Sequence, residues 1–335
     1  MRICIITDTW DNINGVCTTL RNTVTELKSM GHDVYIIEPS QFKTISCPGY
    51  REIKLSIDVW NVNKKIIQYR PDAIHIATEG PLGLAGRLYC TLKKKYIPHN
   101  TSYHTNFPKY LNEYIRLPIS VGYTIMRWFH KTSIKVLVTN ESTKQLLSSY
   151  RFTNLEVWGR GVDTTIFNPH AMIGKMHIPR PILLCVSRVS IEKGLDDFCQ
   201  LQTSGTKILV GDGPYLERLK SKYLDVKYVG YKYGALLAHF YANADVFVFP
   251  SKSDTFGIVM LEANACGTPV AAYPVTGPTD IIEQRVNGYI DNNLSKSVIE
   301  ALKCDRVVVE NYAQKYTWKS CTEIFVNSLK LIDNT

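Results

Sequence analysis

Residues 246–272 read VFVFPSKSDTFGIVMLEANACGTPVAA, a stretch with two apolar runs on either side of a helical pattern. Ser253, Asp254 or Thr255 can cap the helix at its start, and Gly267 is a natural residue for its end. Continuous apolar strands are typical of a parallel sheet that is buried on both faces. The stretch therefore predicts a strand, a helix and a second strand of an α/β domain.

The same alternation extends over the rest of the chain. It predicts two doubly wound, parallel-sheet α/β domains of the Rossmann-like kind. Ligands of such sheets bind beyond the carboxyl ends of the strands, so two facing domains would share a central cleft. The predicted strands are 3–7, 34–37, 73–77, 101–103, 136–139 and 155–158 in the first half, and 182–186, 207–210, 226–229, 246–249 and 269–272 in the second.

The composition is that of an ordinary globular protein, with 45% hydrophobic and 21% charged residues among 335. No apolar run approaches the ~20 residues of a membrane span, and the chain starts in a strand without a signal peptide pattern, so we expect a cytoplasmic protein. The nine cysteines lack Cys-x-x-Cys spacing, which favours free buried thiols. No Asp-x-Asp or other metal-ligand pattern occurs, so we expect no metal and no other cofactor.

The helix start after residue 250 has features of an anion site. Gly257 leaves backbone N–H groups open in the first turn, where a phosphate can bind. Asp254 and Glu262 are eight residues apart, about 12 Å on a helix, so one could reach a sugar and the other a ribose. Taken alone, each carboxylate is equally typical of a helix cap or a solvated helix face.

This stretch resembles the signature of glycosyltransferase family 4, the retaining enzymes of the GT-B fold. Two acidic residues with seven between them, and Phe256-Gly257 after the first, carry the resemblance. The family more often has glutamate where this chain has Asp254. The resemblance implies that Asp254 contacts the sugar, that Glu262 holds the ribose hydroxyls, and that the neighbouring backbone binds the donor. The donor-binding residues expected there are Thr255, Phe256, Gly257 and Ile258.

A second match places two cations after a strand, in the stretch CVSRVSIEKG at residues 185–194. The resemblance assigns Arg188 and Lys193 to the donor diphosphate, where fixed cations would stabilise the charge that grows on the leaving group. The turn at Gly211 and Asp212 resembles the border of the nucleotide pocket, and the loop at Tyr231 resembles the place where the base rests.

Three stretches of the first half resemble the same family. Gly15, in an Asn-Gly-Val loop after the first strand, would let the backbone approach the donor closely. His104 matches the active-site histidine that contacts the transferred sugar. Trp10, Asn14 and Glu79 are expected at the acceptor, although a packed or solvated role is the alternative for each.

The resemblance implies a domain order as well. Residues 1–168 would bind the acceptor, residues 169–312 the nucleotide sugar, and a helical tail at 313–335 would pack back on the first domain. Prolines at positions 169, 179 and 181 predict that residues 168–181 form a linker.

The expected activity is retaining transfer of a hexose, mannose or glucose in type, from a donor such as GDP-mannose or UDP-glucose. The acceptor would be a hydroxyl of a lipid or glycan, as in the glycolipid-forming mannosyl-, glucosyl- and sulfoquinovosyltransferase branch. A non-catalytic sugar-nucleotide-binding subunit and a nucleotide-sugar epimerase are the alternatives. The net charge is +9, but the basic residues are dispersed, which disfavours nucleic acid. Basic helices with aromatic edges at 87–96 and 123–135 predict contact with an anionic membrane surface, a core-packed helix being the alternative.

Overall fold

The computed structural model describes residues 1–11, 15–47, 50–92, 96–109, 112, 116–252 and 256–332. The expected site residues Asn14, Asp254 and Thr255 lie outside these ranges. The chain forms two compact units, one of Met1–Arg160 with Trp318–Thr335 and the other of Gly161–Thr317.

The first unit contains a six-stranded parallel sheet with the strand order β2-β1-β5-β6-β7-β8, together with an antiparallel hairpin of β3 and β4. Its strands are β1 (Arg2–Ile6), β2 (Asp33–Ile37), β3 (Thr44–Cys47), β4 (Tyr50–Ser56), β5 (Ala73–Ile76), β6 (Asn100–Tyr103), β7 (Val136–Val138) and β8 (Leu155–Val157).

The second unit contains a six-stranded parallel sheet with the order β11-β10-β9-β12-β13-β14. Its strands are β9 (Ile182–Val186), β10 (Thr206–Val210), β11 (Val226–Tyr228), β12 (Val246–Phe249), β13 (Val270–Ala272) and β14 (Gly288–Ile290).

Helices follow most of the strands, as a doubly wound arrangement requires. Those of the first unit are α1 (Gly15–Ser29), α2 (Asn61–Tyr69), α3 (Pro81–Leu92), α4 (Ile119–His130), α5 (Glu141–Ser149) and the last helix of the chain, α13 (Trp318–Ser328). Those of the second unit are α6 (Leu195–Cys199), α7 (Leu216–Lys222), α8 (Gly234–Asn243), α9 (Ile258–Ala265), α10 (Thr276–Ile281), α11 (Leu294–Ala301) and α12 (Arg306–Ala313).

The predicted fold class is confirmed, and every predicted strand is present within a residue or two of its expected ends. The apolar runs succeed as predictors because strands such as β9 and β12 are buried along their whole length. The prediction omits β3, β4 and β14. These strands are short or mix polar with apolar residues, so they lack the continuous apolar run that marks a central strand.

The predicted linker at residues 168–181 is wrong, because this stretch packs on the second unit. Met172, Met176 and Ile178 contact its hydrophobic core, and the backbone N–H of Ile173 donates to His239 Nδ1 at 3.0 Å. The segment before it also belongs there, since the Val162 N–H donates to the Tyr316 carbonyl at 2.9 Å. The contacts therefore divide the units at residue 160, where the proline pattern had suggested residue 168.

The last helix, α13, packs on the first unit. Cys321 and Phe325 are buried in one cluster with Ile5 of β1 and Trp158. The Asn100 side chain at the start of β6 donates to the Ser328 carbonyl at 2.8 Å. The N-terminal sheet thus obtains one of its covering helices from the opposite end of the chain. No helix among the described residues is both long enough and apolar enough to cross a membrane.

We predict that Phe325→Ala destabilises the first unit strongly. Phe325 is fully buried, and removing a buried phenylalanine ring typically costs about 3–5 kcal/mol. Urea unfolding followed by circular dichroism measures the loss. The matched control is Ile324→Ala in the same helix, where the side chain is 37% exposed and the cost should be about 1 kcal/mol or less. Equal costs for the two substitutions would contradict the assigned packing.

Candidate functional site

The second sheet has its topological switch point between β9 and β12. The chain leaves β9 toward β10 on one side and returns to β12 on the other, so the loops after these two strands diverge and leave a crevice. Arg188 follows β9, and Gly257 follows β12. The structure therefore brings both predicted phosphate-binding segments to one edge of one sheet.

A glycine turn fixes the backbone around Arg188. Gly211 has φ +143°, and a Cβ there would lie 1.9 Å from the Ser187 carbonyl oxygen. The Val189 N–H donates to the Asp212 carbonyl at 2.8 Å, which joins the turn to the segment after β9. Only glycine allows this approach, and it leaves Arg188 and Asp212 exposed at the sheet edge.

Lys193 lies beside the segment that follows β12. It ends a short 3-10 helix, and the next residue, Gly194, takes the left-handed conformation with φ +63°. A Cβ on Gly194 would lie 2.8 Å from the Pro250 carbonyl oxygen. The half-buried Lys193 therefore precedes a backbone turn that contacts Pro250, in the segment that leads to helix α9.

Among the residues that the structure describes, no side chain caps the start of helix α9. Its N-cap residue is Gly257 in the left-handed conformation, with φ +85°. A Cβ on Gly257 would lie 2.9 Å from Met260 Cε and 3.0 Å from Phe249 Cζ, so the turn is also sterically reserved for glycine. The buried ring of Phe256 precedes it, and Ile258 opens the helix. The first N–H groups of this helix form the kind of site that accommodates an anion.

Glu262 is half-buried in the second turn of α9. The Tyr241 hydroxyl donates to its Oε2 at 3.0 Å. Burial raises the pKa of Glu262 to about 7, and the bond from Tyr241 only partly opposes this shift. Near neutral pH the carboxyl group is therefore poised between its two protonation states.

A backbone hydrogen bond joins the loop that contains Tyr231 to the glycine turn at Gly211. The Gly211 N–H donates to the Gly230 carbonyl at 3.0 Å, which joins the loop after β11 to the turn after β10. The Tyr231 ring is 54% exposed and stacks on Tyr233 with the centroids 6.1 Å apart. An exposed aromatic face at this edge can stack on a planar base.

In the first unit, His104 follows β6 and is the centre of a buried polar network. Arg160 Nη2 donates to His104 Nδ1 at 2.8 Å, and His104 Nε2 lies 2.9 Å from Ser102 Oγ. Ser102 Oγ donates to the Ala77 carbonyl at 3.2 Å and lies 3.1 Å from His75 Nε2. All four of the polar side chains are buried.

These contacts determine the protonation of His104. Because a guanidinium can only donate, Nδ1 of His104 must accept and carries no proton. The proton is then on Nε2, which donates to Ser102. Burial lowers the pKa of His104 well below its usual value, and the positive charge of Arg160 adds to the effect. His104 is therefore a neutral imidazole of one tautomer, and both of its nitrogens have partners inside the protein.

Glu79 is also committed to a partner within the first unit. Its carboxylate Oε1 lies 3.2 Å from His130 Nε2, and both side chains are almost fully buried, at 3% and 1% exposure. His130 Nδ1 lies 2.8 Å from Thr101 Oγ1, so this histidine too uses both nitrogens. The expected acceptor role of Glu79 stays a prediction. In the part of the chain that the structure describes, its other carboxylate oxygen, Oε2, forms no hydrogen bond, so an acceptor would have to contact that atom.

Asp8 is a residue that the sequence analysis missed. It follows β1, and its carboxylate accepts from the Leu82 and Gly83 N–H groups at 2.8 and 3.2 Å and from the Thr78 hydroxyl at 2.8 Å. It therefore caps helix α3 and occupies the anion position of that helix start. A carboxylate-free helix start remains at α1, where Gly15 is exposed and a Cβ would meet no atom within 4 Å.

Trp10 lies at the same edge, after β1. Its carbonyl accepts from Arg21 Nη2 at 2.8 Å, and the Arg21 guanidinium lies 5.6 Å from the centre of its ring. The indole is half-buried, so part of its surface is available to a ligand. Arg160 and Ser102 were also missed as site residues, because isolated polar residues after strands carry no spacing pattern.

Two parallel-sheet units of six strands each, with helices after most of the strands, define a protein of the GT-B fold class. Two family patterns match the chain. Residues 13–166 match "Glycosyltransferase Family 4" and residues 175–316 match "Glycosyl transferases group 1". The chain belongs to glycosyltransferase family 4, as the sequence motifs predicted.

Several characterised relatives align over most of the chain. A sulfoquinovosyl transferase of Arabidopsis thaliana is 28% identical over 82% of this chain and 60% of its own length. A GDP-mannose-dependent alpha-mannosyltransferase of Corynebacterium glutamicum is 26% identical over 87% and 76%. An alpha-monoglucosyldiacylglycerol synthase of Streptococcus pneumoniae is 27% identical over 90% and 78%. This chain thus spans less than two thirds of the plant relative.

The fold matches a solved structure over nearly its full length. The sucrose-phosphate synthase of Thermosynechococcus elongatus superimposes with a TM-score of 0.78 and covers 97% of each chain, at 20% sequence identity. At this identity the likeness shows the GT-B fold alone, and the expected fold is confirmed.

We predict that Arg160→Met changes the tautomer and raises the pKa of His104. The substitution removes both the donor to Nδ1 and the nearby positive charge, while burial continues to hold the pKa below its usual value. Nitrogen-15 NMR of histidine-labelled protein over a pH series reports both properties. The backbone amide spectrum serves as the control for folding. An unchanged tautomer and pKa in a folded variant would show that Arg160 does not determine the state of His104.

We predict that Glu262→Gln flattens the pH dependence of stability in the second unit. Between about pH 4.5 and 7 the folded chain retains a proton that the unfolded chain releases, so the free energy of unfolding falls as the pH rises through this window. Glutamine is neutral throughout and removes that slope. The midpoints of urea unfolding of the wild-type protein and the variant, taken between about pH 4.5 and 7, measure this change in slope. Parallel pH profiles would mean that Glu262 titrates normally.

Proposed function

We propose that this protein is a retaining glycosyltransferase that transfers a hexose from a nucleoside-diphosphate sugar to a hydroxyl group of a lipid or glycan. One observation carries the proposal. One segment that bears two cations, Arg188 and Lys193, shares the carboxyl edge of β9 and β12 with the glycine-led start of helix α9. This edge is where doubly wound sheets bind their ligands.

The second unit would bind the donor. A diphosphate at the α9 start would lie on the N–H groups that follow Gly257, with Arg188 and Lys193 on the β9 side. Negative charge grows on the diphosphate as the sugar leaves, so fixed positive groups favour the transition state over the bound donor. Such groups can do the work of a metal ion, and we propose a metal-independent reaction. Glu262 would hold the ribose, and Tyr231 the base.

The first unit supports a front-face route. The buried carboxylates that follow β1 and β5 are those of Asp8 and Glu79, and each is bonded within the unit. Neither is therefore free to act as a nucleophile on the anomeric carbon. His104 would contact the sugar as a neutral ring, with a sugar hydroxyl replacing Ser102 at Nε2–H. The transfer would then retain the anomeric configuration through an oxocarbenium-like state.

Between a lipid and a glycan acceptor we propose the lipid, so that the product is a glycolipid. The pneumococcal relative is by its name a glucosyldiacylglycerol synthase. Helix α4 of this chain exposes Val121, Ile125 and Trp128 at 43%, 43% and 44%, and their spacing puts them on one face of the helix. Apolar side chains on a helix with basic neighbours suit the surface of an anionic membrane. Donors of the GDP-mannose type and of the UDP-glucose type both fit this proposal.

We predict that Gly15→Ala weakens donor binding without loss of stability. Space for a Cβ exists at Gly15 and no left-handed φ opposes it, so the fold should tolerate alanine. A donor that approaches the backbone there should bind about tenfold more weakly, a change of about 1.4 kcal/mol. Thermal shifts over a series of nucleotide sugars measure both quantities at once.

The matched control is Gly31→Ala, because Gly31 has φ +80° and equal space around it. It should lower the melting temperature and leave donor affinity intact. Wild-type protein that no nucleotide sugar stabilises would refute the donor site.

Product analysis separates the remaining alternatives. Transfer to a lipid acceptor that stops with Lys193→Ala supports the proposal, and proton NMR of the product gives its anomeric configuration. An inverted product would refute the front-face route. Turnover of the nucleotide sugar without an acceptor would identify an epimerase-like enzyme, and binding without turnover would identify a non-catalytic subunit.

A further inference from the structure

The first unit contains a basic cavity that plays no part in the proposed transfer. It has a volume of about 250 Å³ and is bordered by Arg127, Lys131 and Arg151, with Trp128 and Phe152 as aromatic walls. Such a volume accommodates a phosphate group with a small substituent.

The cavity lies at the opposite edge of the sheet from His104. Val136, the first residue of β7, borders it, and so does Thr153, which precedes β8. All strands of this sheet are parallel, so the beginnings of β7 and β8 lie at the amino edge, whereas His104 follows the carboxyl end of β6. A ligand in the cavity would therefore lie at the amino edge of this sheet, away from His104.

Three positive charges converge on the cavity without a matching negative charge. Arg127 and Lys131 are one helical turn apart, and Arg127 Nη1 donates to the carbonyl of Tyr150, the residue before Arg151, at 3.2 Å. In the part of the chain that the structure describes, none of the three cations forms an ion pair. None of the residues that border the cavity is an aspartate or a glutamate. Arg127 is half-buried, and Lys131 and Arg151 are exposed. Like charges that border one cavity repel each other, and an anion between them offsets the repulsion.

The backbone at Arg151 makes this residue suitable for a substitution test. Arg151 has φ +62° and follows the C-cap of helix α5, with the Phe152 N–H donating to the Leu147 carbonyl at 3.1 Å. This is the position where helices usually end with glycine, because a side chain in the left-handed conformation is strained. Arg70 at the end of α2 has the same conformation, so the strain does not by itself indicate a ligand, but it lets glycine replace Arg151 without loss of stability.

The walls suit an anion that carries a polar or apolar substituent. The hydroxyl-bearing residues Thr124 and Thr153 border the cavity, and Trp128 is 44% exposed at its margin. His130 contributes only its ring, since Glu79 and Thr101 occupy both of its nitrogens. Two guanidinium groups and an ammonium are the donors that recognise phosphate oxygens best.

We infer that the cavity at Arg127, Lys131 and Arg151 is a binding site for a phosphate group, from either an anionic lipid headgroup or a water-soluble phosphomonoester. The inference does not depend on the proposed transferase activity, because it concerns a different edge of the sheet.

Two binding measurements on the full chain distinguish the sources. Glycerol phosphate in equilibrium dialysis tests a soluble ligand, and co-sedimentation with phosphatidylcholine vesicles that contain or lack phosphatidic acid tests a lipid. Binding of the soluble probe alone identifies a free phosphomonoester, and binding that requires phosphatidic acid identifies a lipid headgroup. Wild-type protein that binds neither probe overturns the inference.

The decisive variant is Arg151→Gly. Glycine relieves the left-handed strain, so the melting temperature should stay the same or rise, while phosphate binding should fall about tenfold or more. Arg127→Gln combined with Lys131→Gln should abolish binding. The charge-matched controls are Lys28→Gln for the single variant and Lys28→Gln combined with Lys64→Gln for the double variant, since both lysines are exposed cations of the same unit that do not border the cavity. Equal loss in these controls, or full binding by Arg151→Gly, would show general electrostatic attraction and no site.

Discussion

The donor edge of the second unit depends on close contact between backbones at the carboxyl ends of its central strands. Gly211 lies against Ser187, and Gly194 lies against Pro250, each at a distance that a Cβ would make impossible. These backbone contacts hold the loops after β9, β10 and β12 together. They bring the segment that bears Arg188 and Lys193 to the same edge of the sheet as the start of α9.

The first unit uses its polar groups in the opposite way. Asp8, Glu79 and His104 also follow strand ends, but each is buried and bonded to a partner in the same unit. Buried polar groups are costly unless their bonds are complete, so such a network fixes protonation states and orientations. Arg160 accordingly holds His104 as a neutral ring of one tautomer. The unit thus fixes the orientation of these side chains through internal hydrogen bonds.

Sequence reasoning found the central strands, and it put Arg188 and Gly257 after two neighbouring strands, where the structure has them. It succeeded for β9 and β12 because a buried parallel strand must be apolar along its length. It failed for the β3–β4 hairpin, which has no such run, and for residues 168–181, where the prolines suggested a linker and the methionines instead pack on the core. It also missed Asp8 and Arg160, since their partners lie far away in the sequence, at Leu82 and His104.

The sequence by itself determined the fold class and the family, because these depend on local periodicity and on motifs a few residues long. Only the tertiary structure decided which of the strand-end polar groups remain available. Asp8, Glu79 and His104 lost that availability to partners brought in by distant strands and helices. The cavity at Arg151 was likewise invisible in the sequence, since its three cations come from two segments that meet only when helices α4 and α5 pack on the same sheet.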